Sequence, residues 1–185
     1  FSIVNTQKHI ILDRDGVINF DSLDYIKTPD EWVPIPRSIE AIKQLCDEGY
    51  QIIIITNQSG IDRGIIQYND FIDINTKMIN EIDKAGGTIS AILYCPTLPS
   101  IKNKYRKPGS GMFEEISERL CFPLKSCFSI GDSPRDIVAS ISAKCKPLGV
   151  RTGNGSKISD DINLNIPMFD DLYEAVEFIL KKNKK

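Results

Sequence analysis

The run Gln51-Ile52-Ile53-Ile54-Ile55-Thr56 constrains the fold more than any other stretch of the chain. Side chains of a strand alternate between its two faces, so four consecutive isoleucines require both faces to be buried. Strands of that kind belong to parallel sheets covered by helices on both sides. The shorter run Ile10-Ile11-Leu12 repeats the pattern. Helical periodicity falls between the apolar runs. Ile39, Ile42, Leu45 and Cys46 share one face of a helix over 38–48, which Gly49 stops. Phe71, Met78 and Ile82 mark a helix over 69–85, ended by Gly86-Gly87. Met112, Ile116 and Leu120 give a third, short helix its buried stripe. Further strands are expected at 88–95, 127–130 and 147–150. Ser133 and Pro134 open a helix after the fourth strand, and Asp170 is expected to cap a last one reaching about Leu180. Alternating strands and helices give an α/β fold, a Rossmann-like open parallel sheet flanked by helices. At 185 residues the chain is expected to form one domain over 1–185.

Charge and composition exclude several classes. The formal net charge is -2, with no basic excess for nucleic acid and no basic amphipathic stripe for a membrane surface. No apolar run is long enough to span a bilayer. The opening Phe1-Ser2-Ile3-Val4-Asn5 is too short and polar for a signal peptide, and the lack of a methionine leaves the native start open. Five scattered cysteines, odd in number and without a Cys-x-x-Cys pair, read as reduced thiols of a cytoplasmic protein. The single histidine, His9, precedes the first apolar run and reads as structural or solvent-facing. The basic tail 181–185 reads as a solvated end.

Ligands of open α/β sheets sit beyond the carboxyl ends of the strands, and polar clusters follow four of the apolar runs here. Asp13 and Asp15 leave the first strand on the same side. Two such carboxylates resist joint ionisation unless a cation sits between them. A strand end followed by an ordinary Asp-Gly turn would also produce this stretch. Thr56-Asn57-Gln58-Ser59-Gly60 ends the second strand, Arg106-Lys107-Pro108 lies after the third, and Gly131-Asp132 with Asp136 ends the fourth. Together they fit magnesium-dependent phosphoryl transfer. Magnesium takes oxygen ligands, available from the Asp13 and Asp132 carboxylates and the Asp15 backbone carbonyl. Asp13 would attack phosphorus and Asp15 would move the proton. Thr56 and Lys107 would stabilise phosphoryl charge, with Asp136 orienting Lys107 or a metal-bound water. Residues 16–37 carry Pro29, Pro34 and Pro36 without periodicity and read as a flap loop.

Asp13-Arg14-Asp15-Gly16-Val17, Thr56, Lys107 and Gly131-Asp132 with Asp136 resemble, in order and placement, the four motifs of the haloacid dehalogenase superfamily. More narrowly, Tyr25-Ile26-Lys27-Thr28-Pro29-Asp30-Glu31-Trp32, Thr56 to Ile61 with Arg63-Gly64, and Arg106-Lys107-Pro108 resemble the D-glycero-D-manno-heptose 1,7-bisphosphate 7-phosphatase family. That resemblance implies a small sugar bisphosphate as partner, in the making of nucleotide-activated heptose for lipopolysaccharide or surface glycans. It also implies substrate contacts from Asp21, Asp24, Tyr25, Asn57, Gln58, Ser59 and Arg106. Neither 16–37 nor 96–110 is long enough for a cap domain. A monomer is expected.

One departure stands out. The family often carries a structural zinc held by Cys-x-His and Cys-x-Cys after the third strand. Here Cys95 remains, but Thr97, Asn103 and Tyr105 occupy the other positions. One thiolate cannot form a tetrahedral site, so zinc is expected to be absent from 95–108, with Pro96, Pro99 and packing holding the loop. Histidinol-phosphate phosphatase shares the motifs and is the alternative enzyme. A non-catalytic phospho-ligand binder on the same fold is the alternative outside enzymes.

Overall fold

The computed structural model describes residues 7–184, so the opening Phe1–Asn5 and the final Lys185 lie outside the described residues. Six parallel strands are β1 (Lys8–Leu12), β2 (Tyr50–Asn57), β3 (Ile89–Cys95), β4 (Phe128–Gly131), β5 (Lys146–Val150) and β6 (Met168–Phe169). Their order across the sheet is β3-β2-β1-β4-β5-β6. Helices α1 (Ser38–Asp47), α2 (Tyr68–Lys84), α3 (Gly111–Leu120), α4 (Pro134–Ser142), α5 (Gly155–Ser159) and α6 (Leu172–Lys182) connect or follow them.

The isoleucine run does what its pattern requires. Ile52 and Ile54 pack on one face with Ile10, Leu12 and residues of α1, α2 and α6. Ile53 and Ile55 pack on the other with Ile11, Met112, Phe113, Ile116 and Ala139. All four isoleucines are essentially inaccessible. Truncating any one to alanine should cost about 2–5 kcal/mol, because close-packed neighbours on both faces cannot collapse into the space. In register, Leu12 pairs with Ile54 on one side and with Ile130 on the other. Counted from that register, β1 ends at Leu12, β4 one residue further at Gly131 and β2 three further at Asn57, so the polar clusters that close the three strands gather at one edge.

Several expectations need correction. Asp171 caps α6, its carboxylate accepting from the Glu174 amide, whereas Asp170 pairs with Arg151. Leu120, expected in the α3 stripe, stands exposed at the last residue of the helix, and Phe113 is buried in its stead. The short α5 and the two-residue β6 carry no sequence periodicity long enough to see. The loop 16–37 is pinned by Val17, Ile18, Ile26, Trp32 and Ile35, all buried, and Lys77 of α2 holds the Pro29 and Trp32 carbonyls. Its tip is exposed, with Leu23 wholly so. His9 is buried and stacks on Phe122 with ring centroids 4.1 Å apart. Among the described residues no helix is long and apolar enough to cross a membrane.

Candidate active site

The carboxyl ends of β1, β2 and β4 meet at a cavity of about 280 Å³. Asp13, Asp15, Asp21, Tyr25, Thr56, Asn57, Gln58, Ser59, Arg106 and Lys107 all line it. Asp24 does not: it is exposed, and its backbone carbonyl accepts from Lys27. Asp132 and Asp136 stand behind Asp13, and one carboxylate oxygen of each of the three lies within 4.8 Å of the others.

Lys107 is 2% exposed and organises this cluster. Its ammonium lies 3.1 Å from Asp13 Oδ1 and 2.7 Å from Asp136 Oδ1, and donates to the Ile55 carbonyl at 2.8 Å. Two carboxylates and one carbonyl thus surround the ammonium. Burial alone would lower the Lys107 pKa, but the Asp13 and Asp136 charges outweigh it and raise it. Asp136 also answers for the turn into α4, its Oδ2 accepting from the Asp132 and Ser133 amides and the Ser133 hydroxyl. Burial opposes its ionisation, yet Lys107 holds its pKa below the usual range.

Asp13 and Asp132 are left with too little positive charge. Burial first, then the Asp136 charge, pushes Asp13 up to about 7 against the opposing pull of Lys107. Burial and the charges of Asp13 and Asp136 push Asp132 up to about 9. Asp13 Oδ1 accepts from the Arg14 amide and Asp132 Oδ2 from the Asn154 amide. The second oxygens, Asp13 Oδ2 and Asp132 Oδ1, have no partner among the described residues. This donor set fits a hard divalent cation, which would restore both carboxylates to their charged form. Two glycines make the approach possible. A Cβ on Gly16 or Gly153 would fall 2.1 or 2.2 Å from Asp132 Oδ2, and both glycines have positive φ.

Asp15 is held differently. Arg14 Nε and Nη2 donate to its two oxygens at 2.9 and 3.2 Å, Asn19 adds a bond at 2.9 Å and Gln58 one at 3.0 Å. Burial works against the Asp15 charge, but Arg14 and these hydrogen bonds outweigh it and lower the pKa. Gln58, buried, also donates to the Thr56 hydroxyl at 2.9 Å. Its amide nitrogen thus ties the β2 terminus to Asp15. The Asn57 amide is likewise committed: it donates to the Lys107 carbonyl at 2.9 Å and accepts the Lys107 amide at 3.0 Å. Asn57 fixes the backbone of Lys107 and leaves little for a sugar hydroxyl.

Three arginines complete the cavity wall, and only Arg106 was expected there by role. Arg63 and Arg135 line it too, and among the described residues none of the three has a carboxylate partner. Arg106 Nη1 donates to the Thr97 carbonyl at 3.1 Å. Burial lowers the Arg106 pKa, and the charges of Arg135 and Arg63 add to the effect. Clustered guanidiniums at the mouth of a cavity call for an anion. At the other wall, Asn154 reaches the flap, donating to Asp21 Oδ2 at 3.2 Å. The loop 95–108 is held by more than prolines and packing. Asn103 donates to the Thr97 hydroxyl at 2.8 Å and accepts the Tyr105 amide at 2.8 Å, joining three positions where the family's zinc ligands stand.

Sequence reasoning gave Arg14, Asn19, Asn75, Arg63, Arg135 and Asn154 no role. A signal existed for Asn75: it falls within the buried α2 stripe of Phe71, Ile74, Met78 and Ile82, where an amide needs a reason. Arg63 and Arg135 lay inside motifs already singled out. Asn154 carried no signal beyond its neighbouring glycines.

Comparison with known proteins agrees with the geometry. The family model for polynucleotide kinase 3 phosphatase matches residues 10–144. A D-glycero-beta-D-manno-heptose-1,7-bisphosphate 7-phosphatase of Pseudomonas aeruginosa is 39% identical over 173 residues, 93% of this chain and 97% of its own. The crystal structure of the D,D-heptose 1,7-bisphosphate phosphatase from B. bronchiseptica, complexed with magnesium and phosphate, superposes with a TM-score of 0.93 at 38% identity. It covers 95% of this chain and 99% of that one. A haloacid dehalogenase-like hydrolase of Streptococcus pneumoniae, at 11% identity and a TM-score of 0.63 over 94% of this chain and 98% of its own, shares the fold. The chain belongs to the polynucleotide kinase 3 phosphatase family and, alongside the heptose bisphosphate phosphatases it resembles, is a haloacid dehalogenase-type hydrolase of phosphoric monoesters.

Proposed function

We propose that the protein removes the 7-phosphate of D-glycero-D-manno-heptose 1,7-bisphosphate through an aspartyl-phosphate on Asp13, supplying nucleotide-activated heptose for lipopolysaccharide or surface glycans. One observation carries the choice of a bisphosphate. The cavity has a reacting end at Asp13, Thr56 and Lys107, and in addition Arg63 and Arg106, whose charges no carboxylate of the described residues answers. A substrate with phosphates at both ends satisfies both sets; a monophosphate leaves the arginines unmatched.

Asp13 attacks phosphorus through one oxygen of its carboxylate, which leaves the other for the cation. The bond from phosphorus to the sugar oxygen breaks, and its electron pair leaves with that oxygen, which takes a proton from Asp15. The arriving phosphoryl charge opposes ionisation of Asp15 and so favours the protonated form an acid requires. Asp15 then accepts a proton from the water that attacks phosphorus, and the bond from phosphorus to Asp13 breaks, returning its electron pair to the carboxylate and releasing phosphate. Thr56 and Lys107 donate to the phosphoryl oxygens, with the ammonium giving up its longer contact, to Asp13, and keeping Asp136. Magnesium, held by Asp13, Asp132 and the Asp15 carbonyl, would neutralise phosphoryl charge. Asp21, Tyr25, Ser59 and Arg106 contact the rest of the substrate. A magnesium-dependent phosphate-release assay on both heptose bisphosphate anomers and histidinol phosphate tests the reading. Preference for a heptose bisphosphate supports it; preference for histidinol phosphate replaces it.

A further inference from the structure

Arg14 is fully buried, and its guanidinium spans from the Asp15 carboxylate to α2. Nε and Nη2 grip the two oxygens of Asp15. The third nitrogen, Nη1, donates to Asn75 Oδ1 at 3.1 Å. Asn75 lies in the middle of α2 on its buried face, one turn from Phe71, whose ring centroid is 5.9 Å from the guanidinium carbon. Guanidinium is planar, so fixing Nη1 fixes the plane in which Nε and Nη2 present their hydrogens. We propose that Asn75 is a positioning residue for the hydrolysis, acting through Arg14 to set the direction in which the Asp15 carboxyl faces the departing oxygen.

The alternative is that Asn75 merely satisfies a buried arginine. The two roles separate by leaving group. An alkyl phosphate needs a proton on its departing oxygen, whereas an activated aryl phosphate such as 4-nitrophenyl phosphate departs without one. The specificity constant kcat/KM reports steps only up to departure of the leaving group, so the later use of Asp15 as a base does not enter it. A positioning role therefore lowers kcat/KM for the alkyl ester selectively; a structural role lowers both alike.

The inference rests on the reading of Asp15 as the acid, so Asp15→Asn is measured beside Asn75→Ala on a sugar phosphate and on 4-nitrophenyl phosphate. Misdirection of a catalytic group by a fraction of an ångström to an ångström costs about ten- to a hundredfold. We expect Asn75→Ala to lose that much in kcat/KM on the sugar phosphate, with a loss about tenfold smaller or less on the aryl ester. Asn75→Asp, which keeps an acceptor for Nη1, should hold the ratio of the two substrates near that of the unaltered protein. Should Asn75→Ala fail to fold, Asn75→Ser, whose oxygen stands one atom short of Arg14, carries the same test. Selective loss in Asp15→Asn, with equal losses or none in the Asn75 variants, would overturn the positioning role and leave Asp15 as the acid. An equal loss on both substrates in Asp15→Asn would remove the acid reading and the inference with it.

Discussion

Replacing Arg106 by alanine tests the bisphosphate reading where its physical support is most specific. Of the five N–H donors of this guanidinium, only one at Nη1 has a partner among the described residues, the Thr97 carbonyl. The charges of Arg63 and Arg135 already disfavour the charged form of Arg106, so an anion at this wall relieves repulsion as well as forming hydrogen bonds. A charge-assisted hydrogen bond contributes about 1.5–3 kcal/mol, or about ten- to a hundredfold in an equilibrium or rate ratio. Arg63 remains in the variant, so the loss should stay near a single interaction of that size. We expect Arg106→Ala to lower kcat/KM for heptose bisphosphate at least about tenfold, mainly through KM, and to cost a simple monophosphate ester much less. Arg106→Lys should recover part of the loss, since it restores charge without the planar fork. Measuring both substrates on all three proteins gives the result directly. Equal losses on the two substrates would mean that Arg106 serves the reacting phosphate or the shape of the loop, and the reasoning would fail.

Lys107→Met should abolish turnover and leave Asp13 and Asp136 buried without their cation; removing one partner of a buried pair costs about 3–5 kcal/mol, readable as a lower Tm in chelator. A variant as stable as the parent there would contradict the charge argument. In the metal-free protein the folded-state pKa values of about 7 for Asp13 and about 9 for Asp132 stand above the ordinary 3.8 of the unfolded chain. The folded state thus holds these protons more tightly, and their contribution is complete below about pH 4 and is lost as pH rises through about 7 and then about 9. Tm in chelator should fall across that window, magnesium should flatten the fall, and Asp132→Asn should weaken it; a Tm rising with pH specifically through these two groups would refute the assignment. Elemental analysis of the purified protein should find no stoichiometric zinc, because Cys95 is the one thiolate left among the four positions and Thr97, Asn103 and Tyr105 bond to one another instead; one tightly held zinc per chain would overturn this.

The parts of the fold visible in sequence were those written in local periodicity. Ile52 to Ile55 could be placed because four apolar neighbours admit few alternatives, and the position of Asp13, Thr56 and Asp132 followed from the strands they end. Lys107 was found by its company, although its three partners come from three other segments. What stayed hidden was the commitment of polar atoms. Asn57 lies among polar donors and reads as a ligand contact, but its amide is bound to a backbone fifty positions later. Arg14 sits between the two aspartates, and nothing local says that it turns toward α2 and Asn75. Asp170 lies next to Asp171, which caps α6 in its place, and Asp24 lies next to Tyr25, which lines the cavity where Asp24 does not.

In the proposed mechanism phosphorus passes through Asp13. Asp15→Asn offers the most direct view when supplied with 4-nitrophenyl phosphate and magnesium. The leaving group departs without an acid, but the following attack by water lacks its base, so the intermediate should accumulate. A rapid stoichiometric burst of 4-nitrophenol should precede slow turnover, and peptide mapping of the quenched protein should find phosphate on Asp13. Phosphate on another residue, or steady release without a burst and with Asp13 unmodified, would rule out Asp13 as the nucleophile.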